Sequence, residues 1–135
     1  MGRLVIYVDA NVVIRLIEGD AATRAPLEAK LKPLRGTGPF LMTSQLTRLE
    51  CRVLPIRAGN VELLKLYDQF FAAPELALLD LTTAVVEKAS ILRASLNLKT
   101  PDALHAASAI LAGAVTFLSA DCGFTRCSEL SVEVV

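Results

Sequence analysis

Short apolar runs alternate along the chain with longer segments in which apolar residues recur every three or four positions. The short runs are typical of strands buried on both faces, and the longer spacing is typical of amphipathic helices. We predict strands at 4–8, 40–43, 76–81 and 115–119, with a possible fifth at 132–135. We predict helices at about 11–18, 21–34, 44–57, 60–72, 83–96 and 99–111. Because strands that alternate with helices form parallel sheets covered on both faces, residues 1–135 are expected to form one domain, a three-layer α/β/α sandwich with a central, mainly parallel sheet of four to five strands.

Two of the predicted helices begin with residues suited to capping. Ser44 opens the helix at 44–57, and its hydroxyl can satisfy a free backbone N–H there. Thr100 is expected to cap the helix at 99–111, with Pro101 at the first helical position, where its missing N–H costs nothing.

Two acids come at the ends of predicted strands. Asp9 follows the strand at 4–8, and Asp121 lies just past the strand at 115–119. In an open parallel sheet, ligands bind in the crevice at the carboxyl ends of the strands. We therefore expect both carboxylates at that edge of the sheet.

Two further acids lie on predicted helices. Asp102 is near the start of the apolar helix at 99–111. Glu50 has Leu46, Leu49 and Val53 at helical spacings of minus four, minus one and plus three, which predicts that it shares the inward face of its helix. An inward acid costs free energy unless it is paired or binds a cation.

Each acid also has a purely structural interpretation. Asp9 would serve as a helix cap, Asp121 as a turn residue and Glu50 as the partner of a nearby arginine. Asp102 would be favoured by the helix dipole by roughly 0.3–1 kcal/mol. Taken together, the four acids would converge on one crevice, where like charges repel unless a cation lies among them. Oxygen ligands without competing His or Cys suit Mg²⁺ or Mn²⁺.

Amino-acid composition argues against several classes of site and of protein. Three cysteines and one histidine, with no C-x-x-C pair, argue against both a disulfide framework and a zinc site. The 14 basic and 14 acidic residues balance, but setting aside four acids as ligands leaves 10 acids and a mildly basic molecule. Hydrophobic residues make up 53% of the chain, yet no apolar run is long enough to span a bilayer. We expect a cytoplasmic protein whose apolar excess is covered by a partner or by a second copy.

Four segments carry a resemblance to a known family. The chain resembles PIN-domain proteins, specifically VapC-type toxin ribonucleases, in VDAN at 8–11, TSQLTRLE at 43–50, PDALHAASA at 101–109 and LSADCGF at 118–124. The resemblance implies that the metal ligands are Asp9, Glu50, Asp102 and Asp121, with Asn11 and Ser119 as polar neighbours. Ser119 stands where many relatives have Thr. Gly123 stands where some carry a further acid, which leaves a second metal position open.

The resemblance also implies an activity and partners. The expected activity is Mg²⁺- or Mn²⁺-dependent hydrolysis of RNA to 5′-phosphate and 3′-hydroxyl ends. The expected partners are a cognate antitoxin and a second copy of the chain. Four basic residues are candidates for binding the RNA backbone: Arg15, Arg48, Arg52 and Lys99. The stretch VELLKLYDQFF at 61–71 is either a protein-facing surface or part of the core.

Other functions compete with this hypothesis. A nuclease for structured DNA would keep the same fold, but the chain shows no added clamp or arch. A receiver domain would need an acidic pair after the first strand and a Lys after the last, and neither is evident. A metal-free binding module is a third alternative. His105, one turn beyond Asp102, is more simply explained as a packing or hydrogen-bonding residue than as a general base.

Overall fold

The core of the protein is a five-stranded parallel sheet. A computed structural model describes residues 5–36 and 38–135. The strands are β1 (Ile6–Val8), β2 (Leu41–Ser44), β3 (Leu76–Leu79), β4 (Thr116–Ser119) and β5 (Val132–Val134). Their order across the sheet is β3-β2-β1-β4-β5, and every neighbouring pair is parallel. All five predicted strands are present, although Leu4, the first residue of the predicted 4–8 strand, lies outside the described residues.

Within the described residues, six α-helices connect the strands. They are α1 (Ala10–Glu18), α2 (Ala21–Leu31), α3 (Gln45–Ala58), α4 (Val61–Phe71), α5 (Thr83–Leu96) and α6 (Thr100–Leu111). A 3₁₀ turn at Lys32–Leu34 extends α2, and a second at Cys122–Arg126 follows β4. Within the described part of the chain, no helix combines the length and apolar character needed to cross a membrane.

Side chains alternate across the sheet and form a separate core on each face. Tyr7 of β1 and Phe117 of β4 point to the face covered by α5 and α6. Ile6, Val8 and Leu118 point to the other face, where residues of α1, α2 and α4 pack against them. This alternation follows from the two-residue period of a strand. The predicted three-layer α/β/α sandwich is therefore confirmed.

The prediction for the inward face of α3 was wrong. The buried stripe of this helix consists of Thr47, Cys51 and Pro55, whereas Leu49 is 60% exposed and Val53 is 38% exposed. Periodicity shows that a helix has an apolar stripe but does not show which stripe its neighbours cover. Glu50 lies beside the buried stripe and is half-buried.

The predicted caps were also partly wrong. Ser44 occupies the N-cap position of α3, but its side chain makes no capping hydrogen bond, and its hydroxyl accepts instead from the Tyr7 hydroxyl at 3.1 Å. The N-cap of α6 is Lys99, so Thr100 is the first helical residue and Pro101 the second. In the folded chain, the hydroxyls of Ser44 and Thr100 form hydrogen bonds with other side chains instead. Arg93, for example, donates to the Thr100 hydroxyl at 2.8 Å.

Candidate metal centre

A small pocket opens where β1 and β4 end. Its volume is about 80 Å³, and its lining consists mostly of polar side chains from separate parts of the chain. The residues that line it are Asp9, Ala10, Asn11, Glu50, Asp102, His105, Asp121 and Phe124. All four acids singled out in the sequence thus meet at one place, which we call the acid pocket.

Asp9 is the most deeply placed of the four acids, with 4% of its surface exposed. It follows β1 and caps α1, because its Oδ1 accepts a hydrogen bond from the backbone N–H of Val12 at 3.1 Å. Its Oδ2 accepts from the Ser119 hydroxyl at 2.6 Å. Asp9 therefore acts as a helix cap, the structural role considered from sequence, and also lines the acid pocket.

Ser119 joins the two strand ends. Its side chain is fully buried at the end of β4, and its Oγ also accepts a hydrogen bond from the backbone N–H of Asp121 at 3.0 Å. Asp121 is exposed and caps the 3₁₀ turn, since its Oδ1 accepts from the Gly123 N–H at 2.8 Å. A Cβ atom at Gly123 would lie only 3.2 Å from that oxygen, so a side chain there would crowd Asp121.

Asp102 lies in the first turn of α6 and is half-buried. Its pKa is raised, first because burial disfavours the charged form and next because the Asp121 carboxylate repels it. The nearby charges of His105 and Lys99 oppose that shift. Among the described residues, neither oxygen of Asp102 accepts a hydrogen bond, which leaves both free for a cation.

The small side chains of α6 explain how Asp102 comes so near the sheet. Ala103, Ala106 and Ala107 are fully buried in the core that contains Tyr7 and Phe117. These small side chains allow α6 to pack closely against the sheet, and Asp102 in its first turn lines the pocket at the strand ends.

Glu50 enters the acid pocket from α3 and is held by His105. The Oε1 atom of Glu50 lies 2.8 Å from Nε2 of His105, which is only 3% exposed. Nδ1 of the same ring lies 2.8 Å from the Tyr7 hydroxyl. The sequence analysis missed Tyr7, although a tyrosine in an otherwise aliphatic strand, two residues before Asp9, was a signal that it needed a buried polar partner.

The donor set fits a hard divalent cation. Four carboxylates line the pocket with no cysteine among them, and carboxylate oxygen is the ligand type preferred by Mg²⁺ and Mn²⁺. Within residues 5–36 and 38–135, however, no three His, Cys, Asp or Glu side chains already form a metal-binding cluster. Both oxygens of Asp9 and one oxygen each of Glu50 and Asp121 are already hydrogen-bonded to the protein.

The proposed RNA-contacting residues have different surroundings. Arg52 forms an ion pair with Asp68 at 2.9 Å, and Arg15 donates to the backbone carbonyl of Val135 at 3.2 Å. Arg48 lies with Arg52 along an apolar groove on α3. These three residues do not line the acid pocket.

Lys99 lies near Asp102 of the acid pocket, Arg93 bonds to the neighbouring Thr100, and Arg126 ends the 3₁₀ turn that Asp121 caps. Lys99 sits at the N-cap of α6, close enough to lower the pKa of Asp102. Arg93 donates to the backbone carbonyl of Leu98, between α5 and α6, and Arg126 donates to that of Leu96, the last residue of α5. In the described residues, none of the three forms an ion pair within 4.0 Å. We call Arg93, Lys99 and Arg126 the basic rim.

Several solved structures share this fold. The VapBC2 complex from Rickettsia felis, bound to a DNA fragment from its promoter, matches with a TM-score of 0.75 and 17% identity over 96% of this chain and 98% of that one. DNA-bound VapBC from Salmonella typhimurium matches with a TM-score of 0.75 and 18% identity over 98% of each chain. VapC20 from Mycobacterium tuberculosis, described as a toxin that cleaves the Sarcin-Ricin loop, matches with a TM-score of 0.70 and 19% identity over 91% and 95%.

Sequence comparison identifies the family. No curated protein sequence matches the chain. The family model described as the PIN domain matches residues 6–130, nearly the whole length. The chain therefore belongs to the PIN domain family.

Proposed function

We propose that this protein is a divalent-metal-dependent endoribonuclease and the VapC-type toxin of a toxin–antitoxin pair. The observation that carries the proposal is the meeting of Asp9, Glu50, Asp102 and Asp121 in one 80 Å³ pocket. Membership of the PIN domain family supports it. So does the similarity of the fold to VapC20, a toxin described as cleaving the Sarcin-Ricin loop.

A bound Mg²⁺ or Mn²⁺ would supply the chemistry, by lowering the pKa of a water and by neutralising negative charge on the scissile phosphate. The fold positions the four carboxylates in the pocket where that ion would bind. Ser119 and the start of α1 fix Asp9, the 3₁₀ turn fixes Asp121, and α6 carries Asp102 to the strand ends. The exposed Asn11 adds a polar group at the mouth of the pocket.

Metal-free RNA hydrolysis by histidines fits the structure less well than metal-dependent hydrolysis. A metal-free ribonuclease needs a general acid and a general base, usually a pair of histidines. His105 is the only histidine in the chain, and both of its ring nitrogens are already hydrogen-bonded to protein groups.

The basic rim offers a place for the RNA backbone. In the described residues, its three cations have no carboxylate partner within 4.0 Å. Phosphate groups interact with such cations without regard to base sequence. We propose that Arg93, Lys99 and Arg126 hold the backbone beside the scissile bond. Of the candidates named from sequence, Lys99 is retained, whereas Arg52 is neutralised by Asp68.

We also propose an antitoxin and a second copy of the chain as partners. Solved structures with this fold include a toxin–antitoxin complex from Klebsiella pneumoniae. The groove on α3 exposes Leu49, Val53 and Ile56, three apolar side chains on one helix. We assign this groove to the homodimer. An antitoxin would cover the acid pocket, where an arginine would neutralise the carboxylates in place of a cation.

The 61–71 stretch contributes both to the core and to the surface. Tyr67 and Phe71 are buried, whereas Val61 and Leu66 are exposed.

The metal assignment predicts the behaviour of three aspartate variants. Asp9→Asn and Asp102→Asn each remove a charged ligand, and a bound metal is worth several kcal/mol of transition-state stabilisation. RNA cleavage in Mn²⁺ should therefore fall by at least about 100-fold in each. The matched control is Asp80→Asn, because Asp80 follows β3 at the same sheet edge but does not line the acid pocket. Calorimetric titration of Mn²⁺ should lose its saturable site in the first two variants only. Wild-type cleavage by both of them would contradict the proposal, and a wild-type protein with no saturable site would favour a binding module.

The basic rim predicts a change in salt dependence. In an Asp9→Asn background, in which cleavage is expected to be slow, Lys99→Gln should lower the slope of log K against log [salt] for single-stranded RNA by about 0.7, the value for one lost phosphate contact. Arg126→Gln should have a similar effect. Fluorescence anisotropy with a labelled RNA measures both, and Lys65→Gln on the exposed side of α4 is the control. Equal slopes in the rim and control variants would show that the backbone binds elsewhere.

The dimer assignment predicts that a charge in the α3 groove separates the copies. Leu49→Glu with Ile56→Glu should convert a dimer into a monomer in light scattering, because a carboxylate buried against an apolar surface is strongly disfavoured. Val61→Glu with Leu66→Glu, on the exposed face of α4, should leave the dimer intact. A dimer that survives the first pair and dissociates in the second would move the interface to α4.

A further inference from the structure

Four side chains form a hydrogen-bonded series that leads from the protein interior to the acid pocket. The Tyr7 hydroxyl lies 3.1 Å from Ser44 Oγ and 2.8 Å from Nδ1 of His105. Nε2 of His105 lies 2.8 Å from Oε1 of Glu50. The series joins β2, β1, α6 and α3, so one connection links four elements of the fold.

The polar groups of this series are buried and therefore need hydrogen-bonding partners. Tyr7 and Ser44 are fully buried and His105 is 3% exposed, and buried polar groups in native proteins are nearly always hydrogen-bonded. Burial raises the pKa of Tyr7 to about 12, so its hydroxyl keeps its hydrogen at neutral pH. The Tyr7 and His105 rings also meet edge to face, with centroids 6.0 Å apart.

The placement of hydrogens follows from the chemistry of the four groups. An ionised Glu50 only accepts hydrogen bonds, so the hydrogen between it and His105 belongs to Nε2. In a neutral ring, Nδ1 then accepts from the Tyr7 hydroxyl; in a doubly protonated ring, Nδ1 donates to that hydroxyl, which donates to Ser44. Both arrangements leave an Nε2–H directed at Glu50.

We propose that His105, supported by Tyr7, is a positioning residue that holds Glu50 by Oε1 and leaves Oε2 for the divalent cation of the proposed nuclease. Glu50 reaches the pocket from a helix whose outer face is exposed, and its flexible side chain has no other hydrogen bond in the described residues. The inference rests on the proposed function for the identity of the cation. It assigns His105 no contact with the substrate and no proton transfer. The distinguishing observation is that its Nε2 meets a pocket carboxylate rather than a backbone carbonyl.

Two substitutions of His105 separate its two hydrogen bonds. In His105→Asn the amide matches the position of Nδ1, so it retains the bond to Tyr7 and loses the bond to Glu50. In His105→Gln the amide nitrogen reaches the position of Nε2 and restores a donor to Glu50. Both variants remove the same buried ring, so a purely structural role would affect them alike.

Calorimetric titration of Mn²⁺ into the folded variants provides the main test. We expect His105→Asn to bind about 10–100-fold more weakly than wild type, the usual loss when a ligand's hydrogen-bonding partner is removed. His105→Gln should recover most of that affinity, and Tyr7→Phe should fall between wild type and His105→Asn. Thermal unfolding of each variant verifies that it is folded. Equal Mn²⁺ affinity in His105→Asn and wild type, or equal losses in the Asn and Gln variants, would overturn the proposal.

A second readout needs neither metal nor activity. Because the chain contains one histidine, ¹⁵N-histidine labelling gives a single imidazole whose spectrum requires no assignment. We expect Nε2 to be protonated in the wild type, and its proton to shift in Glu50→Gln. A neutral ring protonated only at Nδ1 would overturn the proposal, whatever the metal affinity.

The proposed nuclease function and the proposed role of His105 are tested by different outcomes. A wild-type protein that binds no Mn²⁺ but has Nε2 protonated would refute the proposed function and leave the hydrogen-bond arrangement in place. A protein that binds Mn²⁺ equally well with His105→Asn would keep the nuclease and remove His105 from its site.

Discussion

Repulsion between carboxylates is the constraint on which the rest of the site depends. Asp9, Glu50, Asp102 and Asp121 come from four separate stretches of the chain, yet their side chains line one small pocket. Bringing like charges together out of bulk water is unfavourable, and burial, followed by repulsion from Asp121, raises the pKa of Asp102. A fold that gathers such groups needs a compensating charge. A divalent cation supplies it, and so would the arginine of a protein partner.

The parallel sheet explains how the groups meet without a dedicated loop. Every strand of such a sheet ends at the same edge, so Asp9, Ser44 and Ser119 are brought to one side by the backbone alone. Hydrogen bonds then fix the individual side chains. Ser119 connects the residues that follow β1 and β4, and His105 connects α6 to α3. The alanines of α6 bring its first turn within reach of that edge.

The sequence was sufficient for features that depend on local pattern. The strands, the helices and the layers follow from periodicity, and the strand-end acids follow from topology. The features that were missed depend on which neighbours a residue meets in the folded chain. Leu49 and Val53 form an apolar stripe that the fold leaves exposed, and the Ser44 hydroxyl pairs with Tyr7 instead of capping α3. The role of Tyr7 could not be predicted because residues 7 and 105 are distant in sequence and meet only across the folded sheet and helix.

The central claim is that one doubly charged ion belongs among these four carboxylates. A crystal structure of the protein soaked in Mn²⁺, measured at a wavelength where manganese scatters anomalously, tests it most directly. We expect an anomalous peak in the acid pocket, with carboxylate oxygens of Asp9 and Asp102 at about 2.1 Å, the distance typical of small hard cations. A fully occupied manganese site elsewhere, with no peak in the pocket, would contradict it.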